Sequence, residues 1–164
     1  MEFVIKRGKT KDLQQCASLI VGIYNNNELH ENWSPNNAFS FCLYFKKRYP
    51  DLFLVAKAAN VVLGFIIASV KPWATGNCLT IEEICVKNEY RQRGIAKSLL
   101  KQLLVHAKEH YNVHLLKGET YGDLKGMPLL WYSRIGFEKQ ESTFLISCAS
   151  IEKILSCLND ASTY

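Results

Sequence analysis

The sequence predicts a mixed α/β fold, in which a central sheet carries helices on both of its faces. Two observations lead to this fold class. Apolar, β-branched runs typical of strands alternate along the chain with segments whose apolar residues recur at helical spacing. The resulting order, β-α-α-β-β-β-α-β-α-β-β, places helices before and within the series of strands. With 164 residues the chain is long enough for one substantial core. We therefore expect a single domain over residues 1–164, with its core at about 3–147.

The first half of the chain supplies an opening strand, two helices and a hairpin. Pro35 interrupts a polar stretch between the helices, and only Ala59 and Asn60 separate the two apolar runs of the hairpin. In order, we expect a strand at residues 3–6, a helix capped by Thr10 or Asp12, a loop at 25–37, a helix at 38–48 capped by Asn37, and a hairpin of residues 52–58 and 61–70.

The second half repeats the change from strand to helix and ends in a small helix. Pro128 suits the first turn of a short helix that would end at Gly136. In order, we expect a loop at residues 71–77, a strand at 79–86, a helix from about Gly94, a strand at 113–118, a loop at 121–126, the short helix, strands at 137–138 and 143–147, and a C-terminal helix at about 150–159.

The connection between the strand at 79–86 and the following helix is the strongest candidate for a binding site. A short turn into a helix presents free backbone N–H groups, and the helix dipole favours an anion there. Arg91 and Arg93 add positive charge, while Gly94 and Ala96 leave room for a ligand to approach the backbone. A dinucleotide fingerprint needs three glycines, of which only Gly94 is present, and the two glycines that a Walker A loop would need before Lys97 are missing. We interpret the turn as a pyrophosphate site.

Two motifs in this sequence resemble a known superfamily. The run RQRGIA at residues 91–96 matches the Arg/Gln-x-x-Gly-x-Gly/Ala signature of GNAT-type N-acetyltransferases, which use acetyl-coenzyme A. The run LWYSRIGF at 130–137 is similar to the family's (F/Y)Y-x-x-x-GF element. A helix, a strand and a loop separate the two, as in the family. The resemblance implies the GNAT acyl-CoA N-acyltransferase fold with a mixed, mostly antiparallel sheet, acetyl-CoA as cosubstrate, and no metal.

The resemblance also implies how the coenzyme would be held. The backbone of one strand should pair with the pantetheine amides, and the following turn should hold the pyrophosphate. The residues concerned are Ile84, Cys85 and Val86 for pantetheine, and Arg91, Gln92, Arg93, Gly94, Ile95, Ala96 and Lys97 for pyrophosphate. Many family members carry an Asn at the end of the strand that follows the helix from Gly94, here the strand at 113–118. This chain has no Asn there. Thr120 and Asp123 are the candidates to replace it.

Acetyl transfer to an amine requires a base for the amine and an acid for the departing thiolate. An alkylammonium has a pKa of about 10.4, so its deprotonation near neutral pH costs about 4 kcal/mol. Glu82 and Glu83 lie in an apolar strand whose alternation should send them to opposite faces. By resemblance Glu82 is the better match for the base and Glu83 the second, while Tyr132 matches the general acid. The implied reaction is direct attack in a ternary complex.

The acceptor should bind to the parts of the chain that least resemble the family. Acidic and aromatic side chains there, which would suit a cationic amine, include Glu28, Trp33 and Trp73. A polyamine, an aminoglycoside-like amine or an amino acid is favoured over a protein lysine. Two other classes remain open: a catalytically inactive acyl-CoA-binding or regulatory module on the same fold, and a nucleic-acid-binding protein.

Composition argues against several other classes of protein. The six cysteines form no CxxC pair, so we expect free thiols in a reducing compartment rather than disulfides or a zinc site. The HAKEH run at residues 106–110 fits an inverted zinc-protease pattern but lacks a third ligand in a suitable context. No signal peptide or membrane-spanning segment is visible. The expectation is a cytoplasmic protein with no nucleic-acid or membrane partner, and both a monomer and a homodimer remain open.

Overall fold

The computed structural model describes residues 2–25, 31–120 and 127–138. The chain divides into two compact units, Met1–Tyr121 and Gly122–Tyr164. The first contains strands β1 (Val4–Arg7), β2 (Phe53–Ala58), β3 (Val61–Trp73), β4 (Gly76–Val86) and β5 (Val113–Gly118), with helices α1 (Leu13–Tyr24), α2 (Pro35–Arg48) and α3 (Ile95–Tyr111). The second contains, within its described residues, helix α4 (Met127–Arg134).

The five strands of the first unit form one mixed sheet in the order β1-β2-β3-β4-β5. Neighbours from β1 to β4 pair antiparallel, and β4 pairs with β5 in parallel. The parallel pair follows from the intervening helix, because α3 returns the chain to the end of the sheet where β4 began. The prediction of a mixed, mostly antiparallel sheet is confirmed.

Helices cover both faces of the sheet, also as predicted. Phe65 and Ile67 of β3 belong to a core cluster that includes buried residues of α1 and α2. The alternate residues Ile66 and Ala68 are equally buried, although they point to the opposite face. Helix α3 packs against β3 and β4 there, with Leu99 among its fully buried residues. The strands therefore read as continuous apolar runs because neither face meets water.

The N-terminal cap of α2 differs from the sequence expectation, whereas Asp12, one of the two residues expected to cap α1, does occupy its N-cap position without a capping hydrogen bond from its side chain. Helix α2 begins at Pro35, and its cap is Ser34, whose hydroxyl oxygen accepts the N–H of Asn37 at 3.1 Å. Proline fits this first helical position because its missing N–H would have no partner there anyway. Asp12 precedes α1, but its buried carboxylate accepts the Lys9 N–H at 2.9 Å and pairs with Lys57 at 2.6 Å.

The hairpin of β3 and β4 is longer than predicted. Pro72 and Gly76 indicated a loop at 71–77, yet β3 continues through Pro72 to Trp73 and β4 starts at Gly76. Gly76 has a φ of +119°, which a glycine adopts freely, so the turn needs only two residues between the strands. This extension places Lys71 and Trp73 on the sheet instead of in a loop.

The remaining predictions concern the C-terminal part of the chain. Helix α4 spans Met127–Arg134 and is followed by a turn at Gly136, as predicted. Residues 137–138 are irregular where a strand was expected. The predicted loop at 121–126, strand at 143–147 and helix at 150–159 lie outside the described residues. Among the described helices, none has the length and apolar character needed to cross a membrane.

Candidate active site

Strand β4 loses its partner on one side just before the predicted coenzyme site. On the β5 side its pairing runs from Asn77 to Ile81, where Ile81 lies opposite Gly118 at the end of β5. On the β3 side its pairing continues to Val86. Within the described residues, the β5-side edge of β4 from Glu82 to Val86 is therefore an unpaired strand edge, the kind of edge to which an extended amide-containing ligand can add.

The alternation of the ladder determines which backbone groups this edge presents. The N–H of Lys87 donates to the Leu63 carbonyl at 2.9 Å, so the two residues form a hydrogen-bonded antiparallel pair. Two positions earlier, Cys85 faces its partner in β3 in the same way. The intervening residues Ile84 and Val86 point their N–H and C=O groups away from β3, toward the unpaired side. Of the three residues predicted to bind pantetheine, these two present backbone groups to the edge.

Two of the four edge groups already have partners. The N–H of Ile84 donates to Oε1 of Glu83 at 2.9 Å, and the Val86 carbonyl accepts from Nε of Arg91 at 3.3 Å. The Ile84 carbonyl and the Val86 N–H have no partner among the described residues. One acceptor and one donor are thus presented side by side on the edge, which is the pattern that pairs with an amide.

The start of α3 presents the free N–H groups that the pyrophosphate prediction requires. Gly94 is the helix N-cap with a φ of +79°, and Gln92 also has a positive φ of 60°. The first helical bond runs from the Ser98 N–H to the Gly94 carbonyl at 2.9 Å. The N–H groups of residues 92–97 have no acceptor among the described residues. A helix start without internal acceptors or a capping side chain binds anions through these groups and its dipole.

The side chains around this turn are mostly exposed and partly basic. Arg91, Arg93 and Lys97 are exposed, and the Arg93 guanidinium lies 5.5 Å from the centre of the Tyr90 ring. Ile95 is buried and anchors the first helical turn to the core. Free backbone donors and exposed cationic side chains therefore occur together at the end of the unpaired β4 edge.

The two glutamates of β4 lie on the same face of the sheet, so the prediction of opposite faces is wrong. The ladder pairs Ile67 with Glu83 and Ala68 with Ile81, which leaves Glu82 as an extra residue in a β-bulge. A bulge interrupts strict alternation. Oε1 of Glu82 accepts the Ser69 hydroxyl, and Ser69 shares the face of Ile67, two residues earlier in the same strand.

Glu83 makes more hydrogen bonds than Glu82, although both side chains are half-buried. Its Oε1 accepts the Tyr24 hydroxyl at 2.9 Å and the Ile84 N–H at 2.9 Å, and the Cys85 thiol lies at 3.5 Å. Burial raises the pKa of the Glu83 carboxyl, and the hydrogen bonds offset this only in part. The same burial, together with the nearby carboxyl, raises the pKa of Tyr24 and of Cys85. Glu83 therefore ties α1 to the bulge of β4.

Glu82 has the environment expected of a base that must reach a substrate. It is half-buried, and its described hydrogen-bond partner is the Ser69 hydroxyl. A single neutral donor fixes the orientation of the carboxylate and leaves its second oxygen available to an amine or a water molecule. The sequence had no signal for Ser69 or Tyr24, because both reach the glutamates across the sheet from distant parts of the chain.

Tyr132, the predicted general acid, lies in the second unit. It is half-buried, and its ring centre lies 5.0 Å from those of Trp131 and Phe137. The Tyr132 carbonyl accepts the Phe137 N–H at 3.1 Å at the turn that ends α4. Gly136 occupies this turn with a φ of +98°. The motif at 130–137 is therefore a helix end closed by a glycine turn, with Tyr132 in its last turn.

The residues predicted to bind the acceptor have different environments. Trp33 is half-buried and packs edge-on against Phe41, with 5.5 Å between ring centres, and its indole N–H donates to Glu31. Trp73 is 48% exposed, and its ring carries the ammonium groups of Lys117 and Lys71 at 3.3 and 5.6 Å from its centre. Glu28 lies outside the described residues.

No metal site is formed by the described residues, among which no group of three or more potential ligands is placed to hold an ion. The histidines of the HAKEH run instead stack on each other along α3, with 4.1 Å between ring centres.

The sequence matches the Acetyltransferase (GNAT) family over residues 13–137, which is most of the chain. The protein therefore belongs to the GNAT acetyltransferase family, as the two motifs suggested. No curated protein matches the sequence significantly.

Solved structures show the same fold at low sequence identity. The aminoglycoside acetyltransferase AAC(6')-Iy in complex with a CoA bisubstrate analogue has a TM-score of 0.72 and 16% identity, covering 92% of this chain and 100% of its own. The NatC complex bound to Gag peptide and CoA has a TM-score of 0.70 and 23% identity, and the match covers 86% of this chain and 87% of that one. A possible acetyltransferase from Clostridium difficile 630 has a TM-score of 0.73 and 14% identity, and the match covers 92% of this chain and 100% of that one.

Proposed function

We propose that the protein transfers an acetyl group from acetyl-CoA to a primary amine by direct attack within a ternary complex. The observation that carries this proposal is that a partly unsatisfied strand edge is continuous with a helix start whose N–H groups are free. The unpaired edge of β4 ends at Val86, and the free N–H groups of residues 92–97 follow it across one short turn. An amide chain attached to a diphosphate is complementary to this sequence of groups.

The chain's own groups would hold such a cosubstrate at two places. The Ile84 carbonyl and the Val86 N–H would pair with pantetheine amides, and the N–H groups at the start of α3 would bind the diphosphate. Arg91, Arg93 and Lys97 would add favourable charge close to the phosphates. The cosubstrate supplies an activated thioester and a thiol leaving group.

Glu82 is the proposed base for the amine. Its environment supports this role because it is half-buried, oriented by Ser69, and located at the bulge beside the unpaired edge. A carboxylate there accepts the amine proton directly or through one water molecule. Glu83 has a different role in this proposal: since it accepts the Tyr24 hydroxyl and the Ile84 N–H, it fixes the bulge that aims Glu82.

Tyr132 is the proposed acid that returns a proton to the departing thiolate. A phenol with a pKa of about 10 can protonate a thiolate whose pKa is about 8.5. The support for this role is its place in the motif, four residues before Gly136 in a helix end of the expected form.

A small primary amine is the proposed acceptor. Polyamines, aminoglycoside-like amines and amino acids are the classes suggested by the sequence, and a related fold occurs in a solved aminoglycoside acetyltransferase complex. The direct test is a panel of such amines incubated with acetyl-CoA, in which the acetylated amine is detected by mass spectrometry together with loss of the thioester. We expect at least one amine to be acetylated at a rate that depends on protein concentration. Binding of acetyl-CoA without acetylation of any amine would favour an inactive acyl-CoA-binding module.

A further inference from the structure

A basic and aromatic cluster lies on the same face of the sheet as the proposed base. It consists of Lys71 and Trp73 at the end of β3 and Lys117 near the end of β5. Strand alternation places Ser69, Lys71 and Trp73 on one face, and both lysine ammonium groups lie over the exposed ring of Trp73. The sequence predicts Trp73 as an acceptor residue but gives no signal for the two lysines beside it.

The two lysines lack carboxylate partners within the described residues. The ion pairs there join Arg7 with Asp51 and Lys57 with Asp12. Two ammonium groups that share one indole ring repel each other, and a third cation would add to that repulsion. An anionic group between them would relieve it. The cluster therefore does not suit the additional positive charge of a polyamine.

The sheet connects the cluster to Glu82 by a row of register partners. Ser69, which donates to Glu82, lies opposite Thr80 in β4, and Thr80 lies beside Lys117 in β5. The Thr80 hydroxyl oxygen is buried and has no hydrogen-bond partner among the described residues. Glu82 lies two residues after Thr80 in β4, and Lys117 lies beside Thr80 in the neighbouring strand. The Cα atoms of Glu82 and Lys117 are therefore about 8 Å apart.

From this arrangement we propose that the acceptor carries an anionic group, a carboxylate or a phosphate, several bonds away from the amine that is acetylated. Lys117 and Lys71 bind the anion beside Trp73, while Glu82 receives the amine. The inference deepens the proposed function and rests on it. Among the classes that the sequence left open, it selects amino acids that are acetylated on an amine several bonds from the carboxylate, and it disfavours polyamines; it also adds phosphorylated amines to the candidates.

Three amines with the same number of carbon atoms, six, and different end groups test the charge preference; in each of them the amine lies at one end of the chain. Hexylamine ends in a methyl group, aminohexanoate ends in a carboxylate, and hexamethylenediamine ends in a second ammonium. Wild-type protein should acetylate aminohexanoate with a kcat/KM about tenfold above that of hexylamine, the effect expected of two partly screened ion pairs. Hexamethylenediamine should be the poorest of the three. Glucosamine phosphate compared with glucosamine distinguishes a phosphate-bearing from a carboxylate-bearing acceptor.

Variants assign the preference to the cluster. Lys71→Gln combined with Lys117→Gln should reduce the ratio of kcat/KM between aminohexanoate and hexylamine to about one. Lys101→Gln, an exposed lysine of α3, is the matched control and should keep the wild-type ratio. A ratio near one in the wild type, or an unchanged ratio in the double variant, would overturn the inference.

A binding measurement separates this inference from the proposed reaction. Calorimetric titration of the same three amines into protein saturated with CoA reports the charge preference without turnover. The order aminohexanoate, hexylamine, hexamethylenediamine in affinity supports the anion site even if no amine is acetylated, a result that would reject only the proposed reaction. Acetylation of all three amines at equal rates and equal affinities would reject the anion site and keep the reaction.

Discussion

Replacing Glu82 with Gln is predicted to change how the reaction rate depends on pH. An alkylammonium with a pKa of about 10.4 is protonated in about 999 of 1000 molecules near pH 7.4, a deficit of about 4 kcal/mol. General bases typically recover about 10²- to 10⁴-fold in rate. Because Ser69 holds the Glu82 carboxylate in the bulge, we expect Glu82→Gln to lower kcat/KM by about 10²- to 10³-fold at neutral pH.

The remaining activity of this variant should depend on amine that has already lost its proton to solvent. Its kcat/KM should rise about tenfold per pH unit up to the pKa of the amine, so the deficit relative to wild type shrinks at alkaline pH. Initial-rate measurements from pH 6 to 10 provide the profile. Glu83→Gln tests the alternative base. This variant should show the same dependence of kcat/KM on pH as the wild type. Parallel profiles for wild type and Glu82→Gln would refute the assignment of Glu82.

Three further predictions concern stability. Asp12→Asn leaves the Lys57 ammonium buried without its counter-charge and should cost about 3 kcal/mol or more in urea unfolding, whereas Asp51→Asn, in an exposed pair, should cost about 1 kcal/mol or less. Because burial raises the pKa of Glu83, stability should fall as pH rises from about 4.5, its ordinary value, through the raised pKa, and Glu83→Gln should remove that decline. Gly64→Ala places a Cβ 2.7 Å from a backbone carbonyl of β4 and should destabilise the fold by about 1–3 kcal/mol while weakening CoA binding.

The strands and helices around the site were predictable because each has a strong local pattern. The helix starting at Gly94 was evident from its apolar spacing, and Gly94 is the cap. The free N–H groups behind it follow from helix geometry alone, since the first turn has no internal acceptors. The candidate site at the start of α3 could therefore be predicted from one short segment of sequence.

The relation between the two glutamates was not predictable, because it depends on a register shift. Alternation assigns Glu82 and Glu83 to opposite faces, and only the pairing with β3 reveals that Glu82 is a bulged residue. The partners that distinguish the two carboxylates, Ser69 and Tyr24, lie 13 and 59 residues away in sequence. Such long-range pairings leave no local signal, and the same is true of Lys117 beside Trp73.

The proposed function depends on binding of the coenzyme A diphosphate by free backbone N–H groups at the start of α3. Ala96→Glu tests it most directly, because a carboxylate in the first helical turn satisfies the helix dipole and repels an anionic ligand. Gln102→Glu adds the same charge to an exposed position later in α3 and is the control. Calorimetric titration should show at least 100-fold weaker CoA binding to Ala96→Glu, with a melting temperature no lower than wild type, and near wild-type binding to Gln102→Glu. CoA binding of equal strength to Ala96→Glu and the wild type would contradict the claim.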